Sequence, residues 1–190
     1  MKPFFNLLLV SSLFAMAVSA QPTQKQRVIV LTDIEADPDD SQSLVRFLLY
    51  SNQWDVEGLI ATTSIHQKTR VAPETIDKIL QAYGKAQPNL LKHEKGYLTY
   101  EQLKTKVKKG LAVYGMEGVG EGKDSEGSNH IIQVLSNPDP RPVWFSVWGG
   151  PNVLSQALWK IKQTIPAAEA EKIYSKVRIY TISDQDDSGP

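Results

Sequence analysis

The feature that most constrains the fold is the stretch from residue 28 to residue 49, where an apolar run ends at an acidic turn and then resumes with helical spacing. Residues 28–31 are all apolar, which is typical of a buried strand. Leu44, Phe47 and Leu48 recur at the spacing of one helix face. The stretch therefore predicts a strand that feeds a helix through an acid-rich turn.

Several acidic side chains crowd that turn: Asp33, Glu35, Asp37, Asp39 and Asp40. In open α/β sheets, ligands bind at the carboxyl end of the strands. Carboxylates this close repel one another unless a cation lies among them or the turn directs some to solvent. Ca²⁺, which prefers several oxygen ligands, is the favoured cation. The alternative is an acidic helix N-terminus, which explains Asp37 or Asp39 but not Asp33 at the strand end.

The same pattern recurs along the chain. Strands are predicted at 27–32, 56–62, 143–148 and 177–182, and helices at 41–51, 72–84, 99–109, 127–136 and 151–163. Alternating strands and helices predict an α/β fold with a mostly parallel open sheet covered by helices on both faces. The basic run of Lys104, Lys106, Lys108 and Lys109 is interpreted as a solvated helix end.

The acidic turn also carries a family resemblance. It resembles the N-terminal motif of the calcium-dependent nucleoside hydrolases, a strand running into Asp-Thr-Asp-Pro-Gly-x-Asp-Asp. Here Leu31, Thr32 and Asp33 are followed by residues 34–38 and then the Asp39-Asp40 pair, so the spacing is two residues longer and Pro-Gly is absent. The DPDD sequence at 37–40 is more similar to the nucleoside hydrolase-like domain of secreted bacterial proteins described as cellulose-binding, of the Sde182 type.

Four further segments extend the resemblance over nearly all of the chain after residue 20. Residues 55–64 and 70–85 are similar to the second strand of the family and its helix, and residues 114–132 to its Gly-rich loop. Residues 143–158 are similar to the strand, Gly-Pro turn and helix at which a backbone carbonyl joins the metal. The resemblance implies a nucleoside hydrolase-like fold.

Roles for particular residues follow from the resemblance. It implies hydrolysis of an N-glycosidic bond with Ca²⁺ as cofactor. By position, Asp33 would be the catalytic base and a metal ligand, and Asp40 and the Pro151 carbonyl would be further metal ligands. Asp39, or Asp37 in its place, would bind sugar hydroxyls.

Other candidate residues each have a structural alternative. Glu117 in the Gly-rich loop is a candidate sugar contact or part of a flexible loop. Asn152 is a candidate substrate contact or a helix cap, and Trp148 a sugar-stacking platform or a core residue. His66 is a candidate pocket residue or an exposed loop residue. The acidic turn after the last strand either faces the same cleft or is solvated, and it contains Asp184, Asp186 and Asp187.

The ends of the chain and its composition set the context. Residues 1–20 have Lys2, an apolar run and a small-residue site ending at Ala20, which predicts a signal peptide and a secreted or periplasmic protein. A membrane anchor is disfavoured because the apolar run is short. Residues 21–190 are predicted to form one nucleoside hydrolase-like domain, with a C-terminal part beyond Pro190. Since the chain has no Cys, disulfides and thiolate zinc sites are excluded.

The expected partners are saccharides. With 21 basic and 21 acidic residues, the charge does not favour nucleic acid or an anionic membrane. The first hypothesis is a secreted calcium-dependent hydrolase of a nucleoside or another small glycoside. The alternatives are a noncatalytic carbohydrate-binding protein, for example for cellulose, and a domain in which calcium has only a structural role. The longer acidic turn predicts weak turnover of common nucleosides and preferential recognition of a plant or microbial saccharide.

Overall fold

A computed structural model describes residues 24–189 as a five-stranded sheet with helices on both faces. The strands are β1 (Gln26–Thr32), β2 (Trp54–Ala61), β3 (Val107–Lys109), β4 (Val143–Val147) and β5 (Val177–Thr181). All neighbours pair in parallel, in the order β3-β2-β1-β4-β5. The α/β fold with a parallel open sheet is therefore confirmed.

The helices form one layer on each face of the sheet. They are α1 (Asp39–Leu49), α2 (Pro73–Leu90), α3 (Tyr100–Lys104), α4 (Glu126–Ser136), α5 (Asn152–Thr164) and α6 (Ala167–Tyr174), with short 3-10 helices at Ser51–Gln53 and Gly115–Gly118. The predicted signal peptide lies outside the described residues. Among the helices of residues 24–189, none has the length and apolar character needed to cross a membrane.

The central strand β1 explains why its sequence is continuously apolar. Val28 and Val30 face the core beneath α1, α2 and α3, whereas Ile29 and Leu31 face the core beneath α4, α5 and α6. Successive side chains of a strand point to opposite faces, and a parallel strand buried on both faces needs apolar residues at every position. Packing on both faces therefore fixes the position of the carboxyl end of β1 and of the acidic turn that follows it.

Of the helix predicted at 99–109, only the first half is confirmed. The helix α3 ends at Lys104, after a capping box between Thr99 and Gln102, and Val107–Lys109 then pair with the end of β2 as an edge strand. Lysines are common on edge strands because their charge discourages pairing with other chains. The basic run is thus divided between a helix end and a strand, and Lys108 lies 3.3 Å from a carboxylate oxygen of Glu126. In addition, α6 was not predicted.

The amino-terminal edge of the sheet is held by charged side chains. Arg27, which is buried, donates a 2.6 Å hydrogen bond to Glu57 and another to the Val134 carbonyl. Arg141 joins Asp55 at 2.6 Å and Asp139 at 2.7 Å. The hydrogen bond from Arg141 lowers the pKa of Asp139 to about 2. Because the folded-state pKa lies below the ordinary value, ionised Asp139 stabilises the folded protein.

We expect Asp139→Asn to lower the melting temperature by a few degrees at pH 7. The stabilisation by Asp139 is fully present above about pH 4, the pKa of an unfolded Asp, and is lost as the pH falls towards 2. The difference from the parent protein should therefore close between pH 4 and pH 2 in thermal unfolding curves. Glu121→Gln, which neutralises an exposed acid, is the control. A difference that persists at pH 2 would contradict this interpretation.

Candidate functional site

The turn after β1 is fixed by its own backbone and by one apolar side chain. The Ala36 N–H donates to the Asp33 carbonyl at 2.9 Å, and the Ile34 N–H donates to the Thr32 hydroxyl at 3.1 Å. Ile34 is fully buried in the core beneath α1 and α2. Glu35 takes a left-handed backbone conformation with φ of 80°. The turn is therefore anchored on both sides of Asp33.

Asp33 and Asp40 come together as a pair of buried carboxylates. Their exposed fractions are 5% and 6%, and the Thr32 hydroxyl donates a hydrogen bond to Asp40. The pKa of Asp40 is raised to about 7, first by burial and then by the charge of Asp33, although the Thr32 hydrogen bond acts in the opposite direction. Within residues 24–189, no salt bridge includes either carboxylate. Two buried carboxylates thus lie side by side, and no described residue neutralises them through a salt bridge.

The other three acids of the turn have different roles. The exposed Asp37 and Asp39 accept the N–H groups of Asp39 and Asp40 at 3.2 and 2.8 Å, at the start of α1. Their mutual hydrogen bond lowers the pKa of Asp37 and raises that of Asp39. Glu35 accepts a hydrogen bond from Thr75 and pairs with Arg70. The hydrogen bonds of Asp37 and Asp39 are those expected of an acidic helix N-terminus, whereas a cation site at Asp33 and Asp40 stays a prediction.

Two glycines allow the β4 turn to approach the acidic turn. A Cβ atom at Gly149 would lie 2.7 Å from the Asp33 nitrogen and 2.9 Å from its carboxyl carbon. The Gly150 N–H donates to the Thr63 carbonyl at 2.9 Å. The next residue, Pro151, is buried, and its carbonyl accepts the first backbone hydrogen bond of α5, from Ser155 at 3.0 Å. A carbonyl oxygen has a second lone pair, so the Pro151 carbonyl can accept this hydrogen bond and still bind a metal. Its role as a metal ligand stays a prediction.

Asn152 lies inside the protein, with an exposed fraction of 1%. Its side-chain amide donates to the Thr63 hydroxyl at 2.9 Å and to the Val113 carbonyl at 2.7 Å. Its Oδ1 has no hydrogen-bond partner among the described residues. The side chain therefore joins the loops after β2 and β3 and does not cap α5, whereas its predicted substrate contact stays a prediction.

The acceptor at the start of α5 is Asp186, for which the sequence left open whether it faces the cleft or is solvated. Asp186 is fully buried, and its carboxylate accepts the Asn152 N–H at 3.0 Å. Burial raises its pKa, while hydrogen bonds from Ser188 and Asn152 act in the opposite direction. The only sequence signal for Asp186 was its place in an acidic turn after a strand. Asp184 and Asp187, in the same turn, are exposed.

The remaining candidates lie around the carboxyl edge. Trp148 is half-buried, donates to the Ser146 hydroxyl at 2.9 Å and contacts Phe47 of α1 edge to face. Glu117 is exposed on the 3-10 helix Gly115–Gly118, and His66 is exposed in the loop after β2. Trp148 therefore has the packing of a residue at the core margin, and Glu117 and His66 are accessible to a ligand.

The donor set suits a hard cation that keeps other oxygen ligands. In the part of the chain that the structure describes, no three acidic, His or Cys side chains are grouped closely enough to hold a metal by themselves. The pair Asp33 and Asp40 offers two carboxylates whose repulsion a cation would relieve. Ca²⁺ accepts six to eight oxygens, including carbonyls and water. The residues fit a site in which this pair is supplemented by uncharged oxygens.

Known proteins match both the sequence and the structure. Residues 27–190 match the family model described as "Cellulose-binding Sde182, nucleoside hydrolase-like domain". A solved nucleoside hydrolase-related hypothetical protein from Saccharophagus degradans, associated with carbohydrate metabolism, is 46% identical with a TM-score of 0.84. The match covers 87% of this chain and 40% of that chain, so this chain spans well under half of the length of that relative. No curated protein matches.

We expect Asp40→Asn to stabilise the protein when divalent cations are removed. At pH 8 the substitution removes one of two adjacent buried charges, while the Asn side-chain oxygen can still accept from Thr32. The melting temperature in a chelator should rise by roughly 2–4 °C, or about 1 kcal/mol for a domain of this size.

The matched control is Asp39→Asn, which makes the same charge change at the adjacent, exposed position. We expect that variant to stay within about 0.5 kcal/mol of the parent. A lower melting temperature for Asp40→Asn under these conditions would show that the two carboxylates do not destabilise each other.

Proposed function

The chain belongs to the cellulose-binding Sde182 family of nucleoside hydrolase-like domains, and we propose that it is a secreted, calcium-dependent hydrolase of N-glycosyl compounds. The observation that carries this proposal is the juxtaposition of the buried carboxylates Asp33 and Asp40 at the carboxyl edge of the sheet. Two buried like charges destabilise the folded protein. A cation bound between them would remove this repulsion, so the repulsion favours cation binding. The substrate would be a nucleoside or another small glycoside.

The reaction needs a base and negative charge near the sugar ring. When bound, Ca²⁺ would relieve the repulsion between the two carboxylates and orient oxygen ligands. Asp33 would accept a proton from the attacking water as its oxygen bonds to the anomeric carbon. The bond from that carbon to nitrogen breaks, the electron pair leaves with the nitrogen, and the nitrogen takes a proton from solvent water. The carboxylates would stabilise the positive charge that develops on the ring in the transition state.

Sugar hydroxyls would be held at the exposed side of the same turn. Asp39 is exposed, and Asp37 lies beside it. Carboxylates accept hydrogen bonds from hydroxyl groups, so this pair suits the hydroxyls of a sugar ring. Glu117 is exposed on its loop and would add a further acceptor if the ligand extends in that direction. Trp148, which is half-buried, would add an aromatic contact with the sugar ring.

A noncatalytic carbohydrate-binding protein is the second candidate. The family description names cellulose binding, and the solved relative is associated with carbohydrate metabolism. In this case Asp33, Asp40 and the cation would hold sugar hydroxyls without turnover. The two candidates differ in one observable property, because only the hydrolase would release a nitrogenous leaving group.

The test is an assay with calcium against common nucleosides and other N-glycosides, together with a pull-down on insoluble cellulose. We expect calcium-dependent hydrolysis of an N-glycoside, with common nucleosides as poor substrates. Since Asp33 is the proposed base, Asp33→Asn should lower kcat by about 10²- to 10⁴-fold. The control Asp187→Asn changes the same charge at an exposed position and should retain activity.

The outcomes separate the candidates. Retention on cellulose without turnover of any glycoside would favour the binding protein. Efficient cleavage of common nucleosides that disappears in Asp33→Asn, with no retention on cellulose, would establish nucleoside hydrolysis and refute the substrate preference. If the protein neither hydrolyses any glycoside nor is retained on cellulose, with or without a chelator, both candidates are refuted.

A further inference from the structure

The carboxylate of Asp186 accepts several hydrogen bonds at the start of α5. One oxygen accepts the Asn152 N–H at 3.0 Å, and the other accepts the Ser188 N–H at 3.2 Å and the Ser188 hydroxyl. The residue is fully buried, although Asp184 and Asp187 in the same turn are exposed. Burial of an ionisable side chain is costly unless its contacts compensate. The contacts of Asp186 tie the turn after β5 to the first N–H group of α5.

The same carboxylate lies directly against the glycine turn that follows β4. A Cβ atom at Gly150 would collide with the Asp186 carboxylate and would lie 2.5 Å from the Thr63 carbonyl oxygen. On the other side of the turn, a Cβ atom at Gly149 would lie 2.7 Å from the Asp33 nitrogen and 2.8 Å from its Cβ. Two adjacent glycines are thus packed between Asp186 and Asp33. A displacement of Asp186 would change the space in which Asp33 is held.

Hydrogen bonds to neighbouring loops keep the turn after β5 in place. The Ile65 N–H donates to the Gln185 carbonyl at 2.7 Å, and the Gln185 side chain donates to the Trp148 carbonyl at 2.9 Å. The Gln67 side chain lies between these loops and Asp33, whose carbonyl accepts a bond of 3.4 Å from it. The turn is therefore held from the ends of both β2 and β4, which restricts the movement of Asp186.

From these contacts we infer that Asp186 is a positioning residue for the site: it holds the Gly149–Gly150–Pro151 turn against Asp33 and so fixes the Asp33 carboxylate and the Pro151 carbonyl. The inference rests on the proposed function for the assignment of these two groups to the cation. Among the described residues, Asp186 forms no hydrogen bond with Asp33 or Pro151, and it acts through the glycine turn. Mutation of a residue that orients a metal ligand typically lowers metal affinity by about 10- to 100-fold.

The test variant is Asp186→Asn, which keeps the size of the side chain but replaces one acceptor oxygen by an NH₂ group. That group cannot accept the hydrogen bonds from Ser188 or Asn152. Ser188→Ala removes only one donor to the carboxylate and serves as a milder variant if Asp186→Asn does not fold. The matched control is Asp187→Asn, since Asp187 is exposed and its left-handed backbone, with φ of 53°, is accessible to Asn.

A second control separates positioning from loss of stability. Asp139→Asn weakens the ion pair with Arg141 at the opposite edge of the sheet. If Asp186 affected the site only through the stability of the fold, an Asp139→Asn variant with a melting temperature similar to that of Asp186→Asn would lose as much calcium affinity. We expect it to leave calcium affinity unchanged.

Two measurements are made on each variant. Hydrogen exchange in chelator follows the Gly150 N–H, bonded to Thr63, and the Ala36 N–H, bonded to Asp33. Calorimetric titration with CaCl₂ gives the dissociation constant. We expect exchange at both amides to accelerate by at least about fivefold in Asp186→Asn, because the restraint on the turn is released. Calcium affinity should fall by about tenfold. Asp187→Asn should match the parent in both measurements.

The two measurements can fail independently. Unchanged exchange in Asp186→Asn, or in Ser188→Ala if the first variant does not fold, would overturn the inference whether or not calcium binds. Faster exchange with unchanged calcium affinity would also overturn it. If the parent binds no calcium but exchange accelerates at both amides, the proposed cation site is refuted while the coupling of Asp186 to the Asp33 turn is supported.

Discussion

Burial of β1 on both faces is the constraint on which the rest of the structure depends. Ile29 and Leu31 pack on one layer of helices, and Val28 and Val30 on the other, so the strand cannot slide or rotate without exposing apolar surface. Its neighbours β2 and β4 pair with it in parallel, which brings three strand ends to one edge. The acidic turn, the loop after β2 and the glycine turn meet there as a direct consequence.

The electrostatics of the two sheet edges are opposite in character. At the amino-terminal edge each buried or half-buried acid has an arginine partner, as Asp139 does with Arg141. At the carboxyl edge Asp33 and Asp40 lie together in the interior, and no described residue forms a salt bridge with either. The protein thus pairs its charges where they support the fold and leaves a repulsive pair where ligands bind in related folds. Residues at functional sites often lower the stability of a protein.

The sequence was sufficient to predict those features that depend on residues close together along the chain. The apolar run of β1, the helix face of α1 and the approach of Asp33 to Asp40 all arise within one strand-turn-helix unit. The sequence was not sufficient to predict features that depend on contacts between residues far apart in the chain. The strand β3 is only three residues long and is defined by pairing with β2, and the hydrogen bond between Asp186 and Asn152 joins residues 34 positions apart. No local pattern of charge or hydrophobicity contains that information.

The most direct test of the cation site is a crystal structure of the protein grown or soaked with CaCl₂, with anomalous difference density measured at a long wavelength. We expect one anomalous peak between Asp33 and Asp40, with carboxylate oxygens of both residues at about 2.3–2.6 Å from the ion. In Asp33→Asn the peak should weaken or disappear. A fully occupied calcium ion elsewhere, or no peak between these carboxylates at millimolar calcium, would contradict the account.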